Sequence, residues 1–125
     1  MCYDISFTVK GETIFEYFPN LIIDEDFEQD IDLTIHIAGH LYQLHPIIYR
    51  NKDDRELHLR LMEWGIIPHT ITDEKAFLPQ RASRLNIRSE KILDDKYSYW
   101  YKIKNKRCLI PVTGTFEHRV VRGWK

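Results

Sequence analysis

Residues 57–64 read LHLRLMEW. Leu57, Leu59 and Leu61 alternate with His58, Arg60 and Met62. A period of two puts the leucines on one side of an extended chain, so the stretch predicts a β-strand with one buried face. Gly65 and Pro68 in the following WGIIP end it. Upstream, residues 33–50, LTIHIAGHLYQLHPIIYR, are rich in β-branched and aromatic residues and predict a strand, a bend at Gly39 and a second strand. Downstream, RCLIPVTGTFEHRVV predicts a strand, a turn at Gly114 and another strand.

Helical signals are fewer. Residues 11–18, GETIFEYF, place Ile14, Phe15 and Phe18 on one side of a short helix that Pro19 and Asn20 end. Tyr97, Trp100, Tyr101 and Lys104 keep helical spacing, which predicts a helix over about 94–105 with Asp94 or Asp95 near its N-cap. The acidic run LIIDEDFEQDID reads as a surface loop, and residues 69–88 as irregular. The expected fold is α+β, a curved, mainly antiparallel, barrel-like sheet with flanking helices.

Composition bounds the rest. A chain of 125 residues fits one domain with a real core. No apolar run approaches the roughly 18 residues of a membrane span, and the N-terminus lacks a signal peptide's basic and apolar regions. A cytoplasmic, reducing setting follows, in which Cys2 and Cys108 are free thiols. The net charge of −1 conceals an asymmetry. Residues 1–35 hold nine acids against Lys10 alone, whereas residues 80–107 hold nine bases against three acids. A local basic segment can be a footprint for phosphate or simply a solvated face.

His36, His40 and His45 invite a zinc reading. On a strand, however, the first two stand about 13 Å apart, too far for one ion, and no HExxH surrounds them. No metal and no cofactor is expected. Trp64 alone reads as core, Asn86 as turn chemistry, Arg88 as solvated, and Glu117 as an exposed strand carboxylate. Cys2 alone reads as a plain thiol near the terminus.

Their order reads differently. Met-Cys at the start, WGIIP, NIRSE and RCLIPVTGTFEH together resemble the SOS response-associated peptidase (SRAP) family. That family shows Met-Cys-Gly-Arg, Trp-Gly-Leu-Ile-Pro, Asn-Ala-Arg-Ser-Glu, and Arg-Cys-Leu-Ile-Pro followed by Gly-Phe-Tyr-Glu-Trp. Family domains are longer, so the resemblance implies a single domain over 1–125 that is incomplete at its C-terminus. It implies an abasic-site sensor. Met1 is lost by autoproteolysis, and the exposed Cys2 forms a thiazolidine crosslink with abasic single-stranded DNA, making the protein nucleoid-associated when bound.

The resemblance also assigns roles. Cys2 is the nucleophile, Asn86 orients the α-amine, and Glu117 is the general acid/base. Arg88 grips phosphate, and Trp64, with Pro68 behind it, wedges beside a base. Arg81 and Arg84 join the DNA contacts by proximity to the motif. The sequence departs from the family pattern at Tyr3, Asp4, Thr115 and His118, and no position corresponds to the family's C-terminal histidine. Two other readings stand beside the sensor: a single-stranded nucleic-acid-binding module without catalysis, and a peptidase acting on other proteins.

Overall fold

The computed structural model describes residues 4–8, 12–24 and 36–117. In chain order the elements are β1 (Asp4–Ser6), α1 (Thr13–Tyr17), β2 (Ile22–Ile23), β3 (Ile37–Ala38), a 3-10 turn (Gly39–Leu41), β4 (Leu44–Arg50) and β5 (Leu57–Glu63). There follow α2 (Glu74–Ala82), α3 (Ser89–Leu93), α4 (Tyr99–Ile103), β6 (Cys108–Leu109) and β7 (Gly114–Phe116).

The alternating leucines form β5 as expected. It pairs antiparallel with β4 along seven residues, from Leu44↔Glu63 to Arg50↔Leu57. Cross-strand partners share a face, so Ile48 and Leu59 stand side by side. Both are fully buried, with Ile5, Phe7, Ile14 and Ile37 around them. Each such burial contributes about 1.5–3 kcal/mol, so this cluster fixes the register of the pair. Helix α1 brings Ile14 into the cluster, with Phe15 and Phe18 packed against it, the side its spacing predicts.

Among the described residues the strands form two open sheets, ordered β3-β1-β7 and β2-β5-β4-β6. All pairings are antiparallel except β2 with β5. The class is α+β and mainly antiparallel, as expected, but no closed barrel is present among these residues. The predicted strand–bend–strand of 33–50 exists in outline. Its two strands belong to different sheets, because the Gly39–Leu41 turn carries the chain from one to the other. The same holds for β6 and β7. Gly114 therefore lies within β7 and is not the turn: a Cβ there would sit 2.9 Å from Ser6 Oγ on the paired strand.

Two helical expectations change. Residues 74–82 are a helix, not irregular, with Asp73 as N-cap accepting from the Ala76 amide at 3.0 Å. The predicted 94–105 helix is shorter. Its N-cap is Ser98, which accepts from the Trp100 amide, while Asp95 caps a preceding turn by accepting from the Tyr97 amide. The acidic loop expected over 21–32 lies largely outside the described residues beyond Asp24.

One polar network supports the outer face of the β4–β5 pair. The buried His58 ring donates from Nδ1 to Asp24 and from Nε2 to Asp54, both at 2.7 Å, and Tyr49 donates to the second oxygen of Asp24. A ring that donates from both nitrogens is an imidazolium. The hydrogen bonds to Asp24 and then Asp54 raise the His58 pKa. Burial alone would raise Asp24, but the bonds from His58 and Tyr49 outweigh it and hold that carboxyl low. Asp54 is held low by the Glu56 amide and by His58.

The signs fix a pH window. The His58 contribution is complete below its unfolded pKa of about 6.5 and is lost as pH rises through the higher folded value. The aspartate contribution is complete above about 3.9 and is lost as pH falls through the lower folded values. Thermal melts across pH are expected to show highest stability between those limits, and His58→Gln is expected to flatten the alkaline limb. An unchanged alkaline limb in that variant would remove the network from the account.

Candidate active site

The segment leaving β5 is built around a buried arginine. Arg81 on α2 is 5% exposed. Its guanidinium donates to Glu63 Oε2 at 2.8 Å, to the Trp64 carbonyl at 2.9 Å and to the Gly65 carbonyl at 3.4 Å. It also lies over the Tyr42 ring, 4.3 Å from its centroid. Arg81 is thus a brace that fixes the chain at Trp64–Gly65. This corrects its assignment as a DNA contact, since the charge is spent inside the protein.

Gly65 completes the brace. Its φ is +92°, a left-handed conformation that glycine tolerates. A Cβ there would meet Leu85 Cδ2 at 3.1 Å and Arg81 Nε at 3.2 Å. Gly65→Ala is therefore expected to cost more than about 1 kcal/mol in chemical denaturation. A neutral result would show that this turn relaxes freely.

The brace holds Trp64 beside Leu85, the residue before the NIRSE motif. Trp64 is half-buried against the main core, and its indole N–H donates to the Leu85 carbonyl at 3.2 Å. Asn86 is the next residue. Its amide nitrogen is buried and has no hydrogen-bond partner among the described residues. Buried amides are nearly always paired, so this group is poised for a partner. Arg88 is exposed at the N-cap of α3 and makes no ion pair among the described residues. Arg84 is half-buried with its guanidinium over Phe77. Pro68 is buried, which corrects its place among the DNA contacts: it accepts from the Ile71 amide through its carbonyl and shapes the turn.

The remaining site residues belong to the other sheet. Cys2 lies outside the described residues, two positions before β1. Asp4 is the partner of Phe116, and Glu117 follows Phe116 as an exposed residue. Covalent geometry keeps Cys2 within about 7 Å of Asp4, Cα to Cα. Glu117 thus follows the β7 residue that pairs with Asp4, the first described residue of the chain. His36, set aside in the sequence as a metal ligand, lies there too. His36 Nε2 is 3.2 Å from Asp4 Oδ1, and the His36 ring packs edge-on to Phe116 with centroids 5.0 Å apart. Periodicity alone gave no sign of this pairing, because it depends on β3 and β7 flanking β1.

The three histidines of 36–45 do separate work but are not polar positions on one half-exposed strand: His36 precedes β3, His40 lies in the 3-10 turn and His45 is buried in β4. His36 pairs with Asp4 and His40 is exposed, while His45 is buried with Nε2 2.7 Å from the Pro111 carbonyl. Burial lowers the His45 pKa, and the bond to Pro111 only partly offsets this. No metal-binding group of histidine, cysteine or carboxylate occurs among the described residues.

The sequence model of the SOS response associated peptidase (SRAP) family matches residues 1–124. The chain belongs to the SRAP family. No curated protein matches this SRAP chain. It is similar to the crystal structure of a protein from Bacteroides thetaiotaomicron, with a TM-score of 0.74 and 25% identity. That likeness covers 98% of this chain and 50% of the other, so the SRAP chain spans half the length of its structural relative. Among the described residues no helix is long and apolar enough to cross a membrane.

Proposed function

We propose that this SRAP chain senses abasic sites in single-stranded DNA by forming a crosslink through Cys2. The observation that supports the reading is the β1–β7 register, in which Asp4 pairs with Phe116, the residue before Glu117. Hydrolysis of the Met1–Cys2 peptide bond frees an α-amine next to a thiol. The amine attacks the ring-opened aldehyde of the lesion and expels one water as the imine forms. The thiol then adds across the C=N bond, its proton passing to nitrogen, and a five-membered thiazolidine results.

The chemistry requires the first residue to be cysteine. With Met1 in place the nitrogen is an amide and does not attack. Free, its reference pKa of about 7.7–8.0 leaves a useful neutral fraction. Ring closure is intramolecular and gains the corresponding effective molarity. Glu117 serves as the acid/base that moves protons at the sugar oxygen during ring opening. The Asn86 amide, with both a donor and an acceptor, orients the amine. Arg88 holds a phosphate, and Trp64 takes a neighbouring base, a contact worth about 1–3 kcal/mol.

The test is a denaturing gel of Met1-free protein incubated with abasic single-stranded DNA. A shifted band that is lost with Cys2→Ala supports the reading. Salt-sensitive binding with no shifted band marks a binding module without catalysis and overturns it.

A further inference from the structure

The outer face of the β4–β5 pair carries a cleft that the site above does not use. Its volume is about 630 Å³. Ile47, Tyr49 and Met62 form an aromatic and apolar floor. They lie on the face opposite the Ile48–Leu59 core, because strand side chains alternate. One wall is the β4–β5 turn, with Arg50, Lys52 and Arg55. The other is the segment entering β6, with Asn105, Lys106 and Arg107. Five cations thus face one carboxylate, Asp53.

Several of these charges are uncompensated. Lys52, Arg55 and Lys106 have no side-chain partner among the described residues. Arg50 donates to the Arg55 carbonyl and Arg107 to the Lys104 carbonyl, so both guanidinium groups are held by neutral oxygens, not by acids. Arg55 also adopts a φ of +68°, unusual for a side chain of its size. Like charges gathered around a cavity repel unless an anion enters it. A purely inorganic anion would not use the floor. An aromatic and apolar floor between cationic walls suits flat bases below and phosphates at the rim, the arrangement of single-strand binders.

We propose that this cleft holds a segment of single-stranded nucleic acid, with bases against Tyr49 and Met62 and phosphodiesters on Lys52, Arg55 and Lys106. It deepens the reading of the chain as a single-strand binder, yet it makes no use of Cys2.

Cys108 lines the cleft and is exposed, so its thiol reports occupancy. The chain has two cysteines, and Cys2→Ser leaves Cys108 as the only thiol and prevents crosslinking. Maleimide labelling of this protein is followed with unmodified oligothymidylate, oligouridylate, inorganic phosphate or polyglutamate. Several-fold slower labelling with either oligonucleotide, but not with phosphate or polyglutamate, is expected, and the two oligonucleotides separate DNA from RNA. Adding Lys52→Glu and Arg55→Glu is expected to abolish the protection and to lower the log–log salt slope of binding by about 1.4, for two phosphates on a single strand. Unchanged labelling under saturating oligonucleotide overturns the proposal, as does equal protection by polyglutamate. Crosslinking by the wild-type chain is read on a gel, so either result stands without the other.

Discussion

Arg81→Met is expected to lower stability by about 2–3 kcal/mol and to loosen the Trp64 environment, even though it removes a charge from the interior. The guanidinium makes hydrogen bonds to Glu63 and to two backbone carbonyls at the exit of β5. Bonds from a charged donor contribute about 1.5–3 kcal/mol each way. Glu63 is half-exposed and is rehydrated when its partner goes, whereas the Trp64 and Gly65 carbonyls lose a donor at the turn. The aliphatic part of Arg81 packs beside Gly65, and methionine preserves much of that contact. The signature is specific. Urea denaturation should show the loss, and Trp fluorescence should report a shifted indole while the protein remains folded. Arg81→Lys should rescue little, because an ammonium cannot span Glu63 and two carbonyls at once.

Glu117→Gln is expected to slow crosslinking about 100-fold or more, the usual share of a general acid/base, while DNA binding is little changed. Glutamine keeps the shape and the hydrogen-bonding reach of glutamate but cannot take up a proton. Glu117 is exposed and follows the last residue of β7, so the fold is not expected to respond. The time course of the gel band gives the rate, and thermal melting checks the fold. A rate equal to wild type would remove Glu117 from the chemistry and leave it as a surface carboxylate.

How much of this was legible follows from where the information lies. The β5 strand was readable because alternation is local and Leu57 and Leu59 face the core. Helix α2 was hidden for two reasons. Pro79 lies inside it, and Phe77 is its one buried apolar side chain, so no stripe marks the core side. Its Asp73 cap was a usable signal. The helix expected over 94–105 was misplaced because Tyr97 fits the spacing yet is almost wholly exposed, in the turn before Ser98.

The candidate site was readable only through motif order. Nothing local distinguishes Arg81, which turned inward, from Arg88, which stayed outside. That outcome depends on α2 crossing the exit of β5. The partnership of His36 with Asp4 was likewise out of reach, since strand order is not written in the periodicity of any one strand.

The most direct measurement is the intact mass of the protein after incubation with an abasic oligonucleotide, with the attachment point mapped by proteolysis. The expected product is a chain without Met1 joined to the strand less one water, with the join at residue 2. A chain that keeps Met1 and leaves the strand free, or one joined through a lysine, would contradict it.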